Sequence, residues 1–415
     1  MTRMSWRARW SDFPSQFWLL VGGMFLSSAG TSMVWPFLAL YISGRLQVPL
    51  AQVGALITLQ AAAGVIGTLL AGPLVDLVGR KTGIVLSLAG MAVGYVGLAF
   101  AEQWWDFALF MALGGLFAPA YRIGGDAMVA DMVPPQKRDR AYAVLRTAGN
   151  AGIAIGPALG GWLLVHSYRL AFYAAAASLL FYALLLQALA RETRPDIEQA
   201  EQANITQGLR ELLRDRRLLA FLAAALFTWM AAGLMWIYLG VYMRDQYGLA
   251  EDKYRWLITT NAILVVLGQY GLTEFMRRFS PRLSMVLGSL LYAGAVLGVL
   301  AARSFWDFWF LMVIMTFGEM MLVPAASTWV ANLAPPHLRG RYMSTMAFMW
   351  AVGAGLIAPL GGWLNDAFSP RAPWIFGAGL AALGALLFAL QTPPNPNADT
   401  TPSTVAEGSS SQASA

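Results

Sequence analysis

Four ionisable residues stand inside otherwise apolar stretches of this chain: Arg122, Asp126, Arg146 and Glu319. At the centre of a bilayer each would cost at least ~2.5–3.5 kcal/mol, so each needs a partner, a water-filled cavity or a task. With a helical rise of 1.5 Å per residue, Arg122 lies about 16 Å and Asp126 about 10 Å from the helix end near Val133. Glu319 lies about 21 Å from the end near Leu333. Arg122 and Arg146 are candidates for buried ion pairs, through an i,i+4 Arg122–Asp126 pair or an Arg146–Asp126 pair between adjacent helices. Glu319 has no partner in the sequence. A carboxyl so placed must carry a proton in at least one conformation, which makes Glu319, and after it Asp126, the candidates for proton coupling. Gln60, Asn150, Asn261 and Gln269 read individually as hydrogen-bonding glue between helices.

Other chemistries lack their residues. The chain has no Cys, which removes disulfides, thiolate nucleophiles and Cys-held metals. Its two histidines, His166 and His337, fall in different loops, and there is no P-loop, H-E-x-x-H or G-x-S-x-G. The expectation is therefore no metal, no cofactor and no enzymatic activity; a membrane-embedded enzyme or sensor is the remote alternative.

The elements that hold these residues follow from composition. Of 415 residues, 58% are hydrophobic and 12% charged, about half the charge of a soluble domain. Mean hydropathy is +0.56, and 41 Gly with 16 Trp suit close-packed helices and bilayer interfaces. Runs near 17–43, 50–75, 82–101, 105–132, 140–165, 169–190, 218–243, 254–276, 283–302, 305–333, 342–364 and 372–391 are long enough to cross a bilayer. The fold class is an all-α membrane protein of twelve transmembrane helices.

The net charge of +6 is a topology signal rather than a sign of nucleic acid. With both termini inside, nineteen of the 28 basic residues fall on inward segments, seven on outward ones, and Arg122 and Arg146 within helices. This places the chain in the cell (inner) membrane with cytoplasmic termini. Residues 1–16 hold three Arg and two Trp, without the apolar core of a secretory signal, and read as a cytoplasmic segment. Residues 17–190 and 218–391 form two six-helix halves. Residues 191–217 join them as a cytoplasmic linker whose Ile205, Leu209, Leu212 and Leu213 suggest an amphipathic helix on the anionic leaflet. Residues 392–415, rich in Pro, Asn, Ser, Thr and Ala, read as a disordered cytoplasmic tail.

An internal repeat relates the halves at an offset of 201 residues. Ala130-Asp131 and Pro134-Pro135 with Arg138 and Arg140 match Ala331-Asn332 and Pro335-Pro336 with Arg339 and Arg341. The same offset sets Gly160-Gly161-Trp162-Leu163 on Gly361-Gly362-Trp363-Leu364. Two parallel six-helix repeats are a known transporter architecture.

Two motifs name the family that this architecture resembles. Gly72-Pro-Leu74-Val-Asp76-Leu-Val-Gly79-Arg80-Lys81 matches the loop signature G-x-L-x-D-x-x-G-R-[RK] of the major facilitator superfamily. The resemblance implies a conformational latch built from Gly72, Asp76, Gly79 and Arg80, joined by Asp131. In the second half the equivalents of Gly72, Asp76 and Arg80 are Thr273, Arg277 and Pro281, a degenerate copy. The fifth run carries Gly152, Gly156, Pro157 and Gly160, similar to the motif of drug–proton antiporters with Ala143 in place of its first Gly. Small residues at this spacing also make a flat face for helix packing.

The resemblance implies a cavity lined by the first, fourth, seventh and tenth helices, with Ser28, Thr31, Trp35, Tyr121, Trp236, Tyr238, Met320 and Trp329 as candidate lining. Its departures bear on coupling. No acid occurs between Phe17 and Ser43, and no Arg between Phe107 and Gly115, where drug antiporters of the family carry theirs. The reading is a proton-coupled secondary transporter that exports small amphiphilic or drug-like molecules by alternating access. It works as a monomer in the lipid bilayer, with protons and a small-molecule substrate as partners and no nucleic acid. A dedicated metabolite, sugar or lipid carrier of the same family is the alternative.

Overall fold

A polypeptide in hydrocarbon must bond its own backbone, and the apolar runs satisfy this as helices. The computed structural model describes residues 13–193, 212, 214–249, 251–334 and 339–392. Its first half comprises α1 (Ser15–Ser32), α2 (Leu38–Leu46), α3 (Leu50–Val78), α4 (Arg80–Phe100), α5 (Trp104–Met132), α6 (Pro135–His166) and α7 (Tyr168–Leu189). Its second half comprises α8 (Arg216–Tyr247), α9 (Glu251–Met276), α10 (Pro281–Gly298), α11 (Phe305–Leu333), α12 (Arg339–Ala367) and α13 (Ala372–Ala389). Together α1 and α2 make the first of twelve spans. The reading of residues 17–43 as one helix is corrected: Pro36 has no N–H, its ring clashes with a preceding carbonyl, and residues 35–37 turn as a 3-10 segment.

Helix ends follow local chemistry. Asp215 caps α8 by accepting from Arg217 and Leu218 N–H at 2.9 and 3.1 Å. Ser304 and Asp307 form a capping box on α11, as Gln103 and Asp106 do on α5. Gly248, at φ 60°, closes α8 with a left-handed turn that glycine adopts without a Cβ penalty. Among the described residues, eleven spans pass a hydropathy test for crossing a membrane. The twelfth is α6, 32 residues long but diluted by Lys137, Arg138, Arg140, Arg146 and Asn150. The N-terminal segment 1–12, most of the linker with its expected amphipathic helix, and the tail from 393 lie outside the described residues.

The repeat in sequence is a repeat in packing. Within the first half α1 packs on α6 and α7, α3 on α5, and α4 on α5 and α7. Within the second half α8 packs on α12 and α13, α9 on α11, and α10 on α11 and α13, the same pattern one repeat later. Two long seams join the halves, α3 on α12 and α6 on α9, and α8 also touches α2.

Gly-Gly-Trp explains itself in these seams. The first glycine of each pair faces its own half: a Cβ on Gly160 would strike the Met33 backbone, and one on Gly361 would lie 2.8 Å from Leu234 of α8. The second faces the other half. A Cβ on Gly161 would lie 2.6 Å from the Arg255 Cβ, and one on Gly362 would strike the Leu50 backbone. The tryptophans that follow are exposed on the outside of the bundle, as interfacial anchors are. Gly152 and Gly156 likewise lay α6 directly against the α1 backbone, which is the packing role open to the antiporter-like motif.

Gly362→Leu should therefore wedge α12 off α3, at an overpacking cost of roughly 1–3 kcal/mol. Because the chain has no Cys, a single cysteine at Asn365 reports on this directly. Several-fold faster labelling by a membrane-impermeant maleimide is expected, and an unchanged rate would contradict the close-approach role of this glycine.

Candidate functional site

A cavity of about 960 Å³ lies between the halves, within the size range of small-molecule sites. Trp35, Trp236, Trp350 and Tyr95 furnish aromatic wall, and Trp35 and Trp236 meet across the halves with ring centroids 6.3 Å apart. Of its described lining, two side chains are charged: Arg146 from α6 and Glu319 from α11.

Glu319 is held from one side. Asn261 Nδ2 on α9 donates to its Oε2 at 3.0 Å and to Thr316 Oγ1 at 3.0 Å. The Thr316 hydroxyl in turn donates to the Met312 carbonyl at 2.7 Å. Gln269 on α9 donates to the Met320 carbonyl at 3.0 Å, a second polar tie along the α9–α11 seam. Asn261 thus holds one oxygen of the Glu319 side chain from α9. It was visible in the sequence as a polar residue in an apolar run, but its pairing with Glu319 depends on how two helices 58 positions apart dock.

The other ionisable candidates fall elsewhere. Arg122 and Asp126 are exposed on α5 and outside the cavity lining. No ion pair joins Asp126 to Arg122 or to Arg146 among the described residues. The Arg146–Asp126 pair does not form because α6 does not lie along α5 as a hairpin partner: it packs on α1 and α9, which turns Arg146 into the cavity. Within α5, Arg122 stays near enough to act on Asp126 through its charge without closing an ion pair.

Of the eight residues expected to line the cavity, Thr31, Trp35 and Trp236 do so. Ser28 donates to the Met24 sulfur within α1. Tyr121 shares a 2.9 Å hydrogen bond with Ser27 inside the first half. Met320 and Trp329 are buried in helix packing. Tyr238 bonds the Ala358 carbonyl and, at 3.3 Å, the Leu50 carbonyl nearer the far end. Each sits on a cavity-bordering helix but on another of its faces. Gln60, Asn150, Asn261 and Gln269, read as glue, all border the cavity.

Contacts between the halves cluster at the far end of the bundle, away from the termini. Asp366 of α12 accepts from the Ala51 N–H at 2.9 Å, capping α3 across the seam. Thr58 donates to the Gly355 carbonyl at 2.5 Å. Arg244 donates to the Leu40 carbonyl and the Ser43 hydroxyl at 3.3 and 3.1 Å. Arg255 reaches the Gly161 carbonyl at 3.4 Å.

At the near end the motif residues form a cluster within the first half. Arg80 Nε lies 3.6 Å from Asp131 Oδ2, and Thr193 donates to the same oxygen at 3.1 Å. Gly79 stands at φ 97°, where L side chains are strained. A Cβ there would also lie 2.5 Å from the Glu192 carboxylate. That carboxylate accepts from the Arg80 and Lys81 N–H groups at 2.8 and 3.1 Å, holding the α4 N-terminus. The Asp76 side chain lies outside the described atoms.

The profile of the Major Facilitator Superfamily matches residues 20–251 and 224–411. The chain belongs to this superfamily. It is a membrane transporter with the superfamily's two-half, twelve-helix fold. It is similar to the multidrug resistance protein MdtH of Klebsiella pneumoniae, 27% identical over 386 residues, covering 90% of this chain and 92% of the relative. It is also similar to a Na(+), Li(+), K(+)/H(+) antiporter of Planococcus maritimus, 27% identical over 379 residues, covering 82% and 87%. Among solved structures, a bacterial homolog of the human lysosomal transporter Spinster, in an inward-facing and unoccupied conformation, superposes with TM-score 0.74. That pair is 16% identical over 90% of this chain and 96% of the other.

For this superfamily transporter, Glu192 is the residue that sequence reasoning passed over, because it follows α7 and meets the signature loop only in three dimensions. Glu192→Ala should remove about 1 kcal/mol of helix capping. A Tm in detergent micelles lower by a few degrees, read by tryptophan fluorescence, is expected; an unchanged Tm would show that the carboxylate is dispensable.

Proposed function

We propose that this transporter exports small amphiphilic or drug-like molecules in exchange for protons, by rocking the halves 17–190 and 218–391 about the central cavity. The observation that carries the reading is Glu319: a carboxylate open to an aromatic-walled cavity, with one oxygen held by Asn261 and the other available. Proton and substrate then occupy it in turn; Asp126 lies off the cavity lining, so Glu319 is preferred to it as the shared group. The relatives named for multidrug resistance and for cation/proton antiport support export coupled to protons. A cavity of this size with aromatic walls suits an organic solute better than a bare ion, which needs a cage of oxygens.

In this reading the protein works in the inner membrane as a monomer with cytoplasmic termini, and the far-end contacts seal the outward side. In this state the solute site faces the cytoplasm. The cluster of Gly72, Asp76, Gly79, Arg80 and Asp131 is poised to latch the opposite state. Each proton entering down a 100 mV potential supplies about 2.3 kcal/mol for export.

Proteoliposomes with an imposed pH gradient test the reading, with ethidium and other lipophilic dyes as probes. Flux should follow the gradient and vanish on its collapse. Glu319→Gln should cut gradient-driven flux by at least about tenfold while dye binding persists. Flux that ignores the gradient, or normal coupling in Glu319→Gln, would refute the assignment.

A further inference from the structure

The central cavity holds a second charged group that the exchange reading does not use. Arg146 projects from α6 into it and is exposed there. No hydrogen bond or ion pair engages its guanidinium among the described residues. Glu319 offers one oxygen to Asn261, and its Oε1 accepts no hydrogen bond among the described residues. Asn261 on α9 bonds Glu319, Tyr292 on α10 lies near it, and Arg146 lines the same cavity. One open cation and one half-open carboxylate therefore share an aromatic-walled space.

We infer that the transported molecule is a zwitterionic amphiphile. Its carboxylate pairs with Arg146, its ammonium with Glu319, and its apolar body lies against Trp35, Trp236 and Trp350. The inference rests on the exchange reading and narrows its substrate class.

Charge balance selects the class. With Arg146 and Glu319 both ionised the cavity carries one charge of each sign, and a ligand that answers only one of them leaves the other unpaired. A cation answers Glu319 and leaves Arg146 without a counter-charge. An anion adds net negative charge unless Glu319 first takes a proton, so anion and proton would bind together, which is the opposite of exchange. A zwitterion keeps the cavity neutral and satisfies both groups by charge-assisted hydrogen bonds. When Glu319 takes a proton, the ammonium loses its counter-charge and leaves, and the bookkeeping of the exchange is one proton in for one net-neutral molecule out. Arg146 is then a specificity-determining residue, and transport is driven by the membrane potential as well as the pH gradient.

A matched set of fluorescent ligands tests this: Nε-dansyl-lysine (zwitterion), its methyl ester (cation) and its Nα-acetyl derivative (anion). Binding to the purified full-length protein in micelles is followed by energy transfer from tryptophan to dansyl. The zwitterion should bind at least about tenfold more tightly than either derivative at neutral pH. Arg146→Gln should abolish the preference over the ester and Arg146→Lys should restore part of it. Glu319→Gln should abolish the preference over the Nα-acetyl derivative. Equal affinities, a tighter ester, or no saturable binding of the zwitterion would overturn the inference. Because binding is read at equilibrium with no gradient, that outcome is distinct from failure of gradient-driven flux, which would overturn the exchange reading.

Discussion

An ionised side chain in hydrocarbon must find water or a counter-charge, and this constraint organises the whole molecule. Most of its basic residues lie in the terminal turns of helices or between helices, where solvent and lipid headgroups reach them. Of the few charges within spans, Arg146 and Glu319 stand in the central cavity between the halves. Arg122 and Asp126 stand exposed on α5 nearer its end. A carboxylate and a guanidinium facing the same enclosed space are tolerable only if that space is wet or filled by a ligand with matching groups. The cavity and its two charges therefore imply each other.

Building that cavity requires helices that approach closely at one end and part around a hollow. Glycine supplies the approach. The paired glycines of α6 and α12 divide the labour, one facing the helix of their own half and the next facing the other half, at the end away from the termini. There Asp366 caps α3 across the seam and Arg244 reaches the end of α2, so polar groups as well as small residues close that side. Such contacts are local and individually modest, which suits a seam that opens in the proposed exchange.

The parts legible in the sequence were those set by one-dimensional patterns. Apolar run length marked the spans, the 201-residue offset marked the halves, and the signature loop and its glycines marked the family. Pro36 could have shown the break between α1 and α2, since a helix interior rarely accepts proline. What stayed hidden depended on helix rotation and docking. Tyr121 and Tyr238 stand on cavity-bordering helices but point into packing. Asn261 meets Glu319 across two helices, and Glu192 meets the α4 N-terminus from the segment after α7. Arg146 was expected to pair with Asp126 because α5 and α6 are neighbours in sequence; α6 instead leans on α1 and α9.

The central claim is that proton and solute contend for one carboxylate. Its most direct measure is proton release on binding, with purified protein in weakly buffered micelles, a pH indicator and Nε-dansyl-lysine or ethidium as ligand. At a pH where Glu319 carries its proton, one proton should appear per ligand bound, and none from Glu319→Gln. Saturable binding by the wild-type protein with no proton released at any pH would contradict the account.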